Sequence, residues 1–277
     1  MKNQTRGEGT YLRFDAFHRW THGVVIVSFI LLALTGLPLK FSGSGWAIAL
    51  SRFLGGFETA GFVHRVCGLI TFGYFGAHIG YLIEKIRRAR RKGGSSGIFK
   101  LLLGPDSLAP RLKDIKDIFC HFRWFLGLGP RPKWERWTYW EKFDYWAVFW
   151  GVTIIGWSGL ILWFPTLFSK LFPGWIFNVA MIVHSDEALL ATGFIFTIHF
   201  FNTHLRPDKF PMDPVIFTGR ISKQELMRER PLQYERLLRE GRLDELRTDP
   251  VPLWLEKFSR VVGFVALGVG IILIVLM

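Results

Sequence analysis

Five stretches of the chain stay apolar long enough to cross a bilayer, whose hydrocarbon core of ~30 Å needs about 20 helical residues. They cover residues 23–41, 62–83, 145–165, 178–201 and 261–277. The pattern predicts an all-α polytopic membrane protein: a four-helix bundle and a fifth, C-terminal transmembrane helix. The stretches between are not simple linkers. Residues 84–144 hold a flexible break, GGSSG at 93–97, and then LAPRLKDIKDIFCHFRWFLGLGPRP, whose apolar residues recur at helical spacing. That spacing predicts an amphipathic helix along the inner interface. Ser222 and Glu225 fit a capping box opening a charged helix, which Pro231 should break. The charges there read as a solvated face or a docking surface. Three segments follow: a bundle over 1–205 that includes the loop 84–144, a charged helical segment over 206–257, and a last span over 258–277. No internal repeat stands out.

Composition agrees with a membrane protein. Of 277 residues 50% are hydrophobic and 16% aromatic, which rules out disorder as the main state. The net charge of +13 would by itself suggest a nucleic-acid partner. Its distribution says otherwise. With the N-terminus inside, the inner segments 1–22, 84–144 and 202–260 hold 31 of the 35 Lys and Arg residues. The outer side keeps only Lys40, Arg52, Arg65 and Lys170. By the positive-inside rule the N-terminus is cytoplasmic and the C-terminus exoplasmic. RRARRK at 87–92 reads as a stop-transfer flank, with anionic lipid headgroups as an alternative contact. The long polar lead and the long first apolar run argue against a cleaved signal peptide.

Two cysteines, Cys67 and Cys120, are too few for a disulfide scaffold, a four-cysteine zinc site or a self-contained iron–sulfur cluster. The C-x-x-C-H signature of covalent haem attachment is absent as well. Cofactor binding must fall to other residues, and there are eight histidines. Coordinating side chains within a membrane are costly, so each is a functional hypothesis. In the second stretch His64 and His78 are 14 apart, and in the fourth His184 and His199 are 15 apart. At ~1.5 Å per residue each pair spans about 21–22 Å, roughly four turns of one helix face. Both helices run from outside to inside, so side by side they bring His64 level with His184 and His78 level with His199. Two imidazoles facing across a bundle core can clamp a haem iron from both sides, an arrangement suited to electron transfer. Gly68, Gly73, Gly76, Ala77 and Gly80 either leave room for porphyrin or mark close helix packing. His121 reads as a surface residue.

The opening RFDAFHRWTHGVVIVSFILLALTGL resembles the first helix of membrane cytochrome b subunits of the formate dehydrogenase gamma and nickel-hydrogenase type. There a His at the inner helix start stands 13 residues before a Thr/Ser-Gly pair, as His22 stands before Thr35-Gly36. VHRVCG, SGLILWFP and HSDEALLATGFIFTIHFFNTHLRP continue the resemblance over roughly residues 13–205. The 14/15 histidine spacing is also similar to cytochrome b of quinol–cytochrome c oxidoreductases. The resemblance implies a four-helix haem-binding bundle with two haem b groups. The outer haem iron would be held by His64 and His184, the inner by His22 and His199. The family has no His at position 78, and its fourth helix has one residue fewer between the histidines. His78 is therefore the alternative partner of His199, and His78 with His204 or His18 leaves room for a third haem. The resemblance also implies a quinone site (menaquinone or ubiquinone) at the start of the third span, aligned with Glu141, Lys142 and Asp144. Interfacial anchoring is the other reading of those charges. Asp186 and Glu187 read as partner contacts, as companions of Arg65, or as solvent-facing.

Together these expectations describe a haem b membrane subunit of a respiratory redox complex in a bacterial or archaeal cytoplasmic membrane. It would carry electrons between the quinone pool and an exoplasmic redox subunit, an iron–sulfur or multihaem cytochrome c protein. That subunit would contact the outer loops 42–61 and 166–177. Membrane lipid is the other partner, and nucleic acid is not one. The rival is a haem-free membrane anchor, or a transporter with a histidine proton relay.

Overall fold

In the computed structural model, which describes residues 9–277, each apolar run falls within a residue or two of the bounds of a long helix. A backbone removed from water has to satisfy its N–H and C=O groups internally, and a helix does so within one segment. Strand β1 (Thr10–Leu12) precedes α1 (Ala16–Lys40), α2 (Gly45–Phe53), α3 (Phe57–Leu103) and α4 (Leu112–Phe125). Then come α5 (Tyr139–Trp163), α6 (Pro165–Phe168) and α7 (Trp175–Phe194). Two π-helical turns, Ile195–His199 and Phe201–Leu205, extend α7. The chain continues through α8 (Val215–Thr218), β2 (Arg220–Ser222), α9 (Lys223–Glu229), α10 (Pro231–Arg239), β3 (Arg247–Thr248) and α11 (Leu253–Leu276). Five helices are long and apolar enough to span a membrane: α1, α3, α5, α7 with its π turns, and α11. Helix α3 outlasts its apolar run, and its helical dihedrals fail at Gly93 and at Gly94, where φ is +57°. Glycine tolerates that left-handed value, and the GGSSG segment supplies it.

The chain divides into two compact units. The first holds the described residues up to Arg19 together with Ile79–Ala147 and Val215–Leu255. Here a small antiparallel sheet departs from the all-α expectation. Strand β1 is its centre, pairing with β2 on one side and β3 on the other, in the order β2-β1-β3. Tyr11, Ile221, Leu226, Leu237 and Leu243 form the buried cluster beneath it. Ser222 caps α9, accepting from the Glu225 N–H at 3.2 Å, and Pro231 starts α10, as the sequence pattern predicts. Asp15 caps α1, accepting from the His18 N–H at 3.0 Å. The amphipathic segment forms α4, with Leu112, Ile115, Phe119 and Phe122 exposed and Asp114 buried.

The second unit comprises Trp20–His78, Val148–Pro214 and Glu256–Met277. Its buried cluster joins Ala33 and Leu37 of α1, Phe196 and Phe200 of the π region, and Ala266 and Leu273 of α11. Helix α11 reaches this cluster through small residues. A Cβ at Gly270 would come within 2.6 Å of Phe200 and 2.7 Å of Phe196. Gly68, Gly73, Gly76 and Gly80 of α3 behave differently, since a Cβ at any of them would meet nothing within 4 Å. Those four glycines are not close-packing contacts in this structure.

Candidate functional site

His64 and His184 face each other in the second unit, with ring centroids 6.1 Å apart and planes inclined at 77°. Each ring is held at one nitrogen. The Thr35 hydroxyl of α1 lies 2.6 Å from the Leu31 carbonyl, to which it donates its proton. It can then only accept from His64 Nδ1, at 3.0 Å. His184 Nδ1 lies 2.9 Å from the Ile155 carbonyl, which has no proton to give. Both imidazoles therefore carry their proton on Nδ1 and leave the Nε2 lone pair available. A neutral histidine ligand with its other nitrogen donating to a protein acceptor is the usual arrangement at a metal. The spacing fits too. With a metal–nitrogen bond of about 2 Å and about 1.1 Å from nitrogen to ring centre, two imidazoles in line across one ion stand roughly 6 Å apart.

Elsewhere in the same unit, His22 is close enough to His199 and His204 to interact electrostatically. A ring nitrogen of His22, Nδ1, is buried without a hydrogen-bond partner among the described residues. An orphaned buried polar atom costs about 1–3 kcal/mol, so a coordinating partner for this ring is the economical reading. His204 is buried, with Nδ1 donating to the Pro211 carbonyl at 2.8 Å and its ring 4.4 Å from that of Phe200. His78 packs edge-on against Phe149, with centroids 5.8 Å apart.

The extra residue between His184 and His199 has a physical explanation. Fourteen α-helical residues advance about 3.9 turns and fifteen about 4.2, which would swing His199 off the face of His184. A π turn takes up one surplus residue. The turn Ile195–His199 absorbs it, and the fourth span recovers the repeat that separates His64 from His78. Residues 64, 184, 22 and 199, all expected as iron ligands, thus lie in one unit, His64 beside His184 and His22 near His199.

The residues aligned with a quinone site lie in the first unit and have other partners. Glu141 is paired with Arg230 at 2.8 Å and Arg13 at 3.5 Å, and accepts from the Thr138 N–H at 2.8 Å. Lys142 is 3% exposed and donates to both oxygens of Asp114, at 2.9 and 2.8 Å, and to the Ala109 carbonyl at 3.2 Å. Asp144 lies one turn further along α5.

His121 is not a simple surface residue. It sits among the rings of Trp124, Phe125, Trp134, Tyr139 and Trp140, with Nδ1 3.0 Å from the Tyr139 hydroxyl. Burial holds its pKa below the usual histidine value, helped by the nearby Arg131 charge. Asp186 pairs with Lys40 at 2.6 Å, whereas Arg65 lies over the Trp163 ring, 5.9 Å from its centroid. Sequence reasoning passed over Ile155 and Ser158 as parts of the site. The repeated small-polar-then-glycine step, TGL at 35–37 and SGL at 158–160, was the available signal. No protein-family profile and no curated protein matches this chain.

Proposed function

We propose that this chain is the di-haem cytochrome b membrane subunit of a quinone-linked respiratory complex, akin to the formate dehydrogenase gamma and nickel-hydrogenase type. The observation that carries the reading is the facing pair His64–His184, each with Nδ1 committed to a protein acceptor and Nε2 free. Bound haem would supply one-electron redox chemistry with no open coordination position. The protein's part is to hold the imidazoles in one tautomer and one orientation, and to keep water from the site with apolar helices. His22 and His199 are the residues assigned to the inner haem. Quinone exchanges electrons and protons at the cytoplasmic side, where the basic inner segments lie. An exoplasmic iron–sulfur or multihaem cytochrome c partner meets the outer end.

Reduced-minus-oxidised visible spectra of the detergent-purified chain test the reading. Two b-type haems per chain are expected, falling to one in His64→Ala, in His184→Ala and in the double variant, because both residues serve one site. Complete absence of b-type bands would overturn it in favour of a haem-free anchor or transporter. His22→Ala should lose the inner haem while His78→Ala retains it. The opposite result reassigns the partner of His199.

A further inference from the structure

The two sides of the outer site are built to one plan. On α1, the Thr35 hydroxyl bonds the carbonyl four residues back, Leu31, at 2.6 Å, and approaches Leu32 at 3.3 Å. On α5, the Ser158 hydroxyl bonds the carbonyl four back, Ile154, at 2.7 Å, and approaches Ile155 at 3.0 Å. A glycine follows in both. A Cβ at Gly36 would lie 3.0 Å from Cε1 of His64, and a Cβ at Gly159 would lie 2.9 Å from Cε1 of His184. Each histidine is thus seated in a notch that only glycine leaves open, His64 of α3 against α1 and His184 of α7 against α5. Each Nδ1 faces the same two acceptors, a hydroxyl and the carbonyl three residues before it. His64 meets Thr35 at 3.0 Å with Leu32 alongside, and His184 meets Ile155 at 2.9 Å with Ser158 at 3.5 Å.

The match continues along the chain. After each glycine come Leu37, Leu39 and Phe41 in one copy, and Leu160, Leu162 and Phe164 in the other. Val63-His64 corresponds to Val183-His184, and Gly68-Leu69 to Ala188-Leu189. A second histidine follows in both, His78 and His199, with the π turn taking up the odd residue.

We infer that α1–α3 and α5–α7 are two copies of one helix-pair unit, and that Thr35-Gly36 and Ser158-Gly159 are its equivalent positioning steps, which seat and orient the two outer histidines. The inference rests on the haem reading above. The copies run in the same direction, as parallel repeats do in membrane proteins. Sequence alone hides the relation, because the second copy has a connection three residues shorter and only scattered identities. Neither Thr35 nor Ser158 touches the iron in this scheme. They act through the imidazoles, since a hydrogen bond at Nδ1 raises the ligand's basicity and favours the oxidised metal.

The test uses purified full-length chain and reads haem content, midpoint potential and electron paramagnetic resonance. Gly36→Val and Gly159→Val should each halve the haem content, and the double variant should lose no more. Gly268→Val on α11, where an added Cβ meets nothing within 4 Å, should keep both haems. Thr35→Val is close in volume and avoids a folding defect. It should raise the potential of the outer haem and alter its resonance signal. Ser158→Ala should do the same to a smaller extent, because the Ile155 carbonyl remains. The exchange Thr35→Ser with Ser158→Thr should restore wild-type potential and signal. Unchanged outer-haem properties in Thr35→Val and in both valine variants would overturn the inference, as would an effect confined to one half. A wild-type chain without b-type bands would instead overturn the haem reading itself.

Discussion

Replacing Lys142 with methionine separates a structural role from a chemical one at the start of α5. The ammonium is 3% exposed and satisfied by three oxygens, two of them from Asp114. Asp114 is itself 12% exposed at the side chain and also accepts from the Arg111 N–H at 2.6 Å, at the start of α4. Removing the lysine charge strands a buried carboxylate, and breaking such a pair costs about 3–5 kcal/mol. Removing both charges should be far milder, because well-packed apolar replacements of a buried pair are often near neutral. What remains lost in Lys142→Met/Asp114→Leu is the cap on α4, about 1 kcal/mol. Denaturant unfolding of the detergent-solubilised chain, followed by tryptophan fluorescence across a double-mutant cycle, measures these terms. The ion-pair account predicts that the double variant recovers roughly 2–4 kcal/mol over Lys142→Met, the single-variant loss less the cap. A Lys142→Met chain as stable as wild type would refute it, and so would a double variant no better than the single. The quinone turnover proposed above, measured in the double variant, then reports on Lys142 free of the folding defect.

Four further outcomes can be checked. The inclination of 77° between the His64 and His184 planes predicts a strongly anisotropic low-spin ferric signal for the haem proposed between them, and a signal typical of parallel ligand planes would contradict that geometry. Partial burial pulls the Asp15 carboxyl upward, but hydrogen bonds from the His18 backbone and ring and from Tyr81 outweigh it and hold the pKa at about 2. Its contribution is therefore complete above the unfolded value near 3.8 and is lost as pH falls toward 2, so Asp15→Asn should flatten that acid limb of a stability titration. His121 has the opposite charge logic and a related pH direction: its neutral form is favoured in the fold, so its contribution declines as pH drops below about 6.5, and His121→Phe should remove that dependence. Gly270→Leu should cost about 1–3 kcal/mol by overpacking against Phe196 and Phe200, read as increased protease sensitivity of the C-terminal helix.

The spanning helices were legible because a run of about 20 apolar residues admits few other outcomes. The π turn before His199 was legible only as an anomaly, a spacing one residue too long. Strand β1 is three residues, too short for any alternation to register, and its partners lie more than 200 positions away. The ion pairs of Glu141 and Lys142 escaped for a similar reason. Their partners Arg13, Arg230 and Asp114 come from separate segments, and Asp114 reads in sequence as one more polar position on an amphipathic helix. The histidine pair was visible by spacing, but the notches that seat it depend on which glycine faces which ring. Composition does not record that.

The central position of β1 has a consequence for how the chain is made. Thr10 pairs with Ser222 on one side and Thr248 on the other, and Tyr11 with Ile221 and Arg247. During synthesis four of the five spans leave the ribosome before either neighbour exists. One edge of β1 can close once residue 222 has emerged, and the other only after 248, immediately before α11 begins. Residues made ahead of all five long apolar helices are therefore among the last to be secured. A chain that stalls before residue 247 would hold Tyr11 on one side only and leave an open strand edge for chaperone or protease to read.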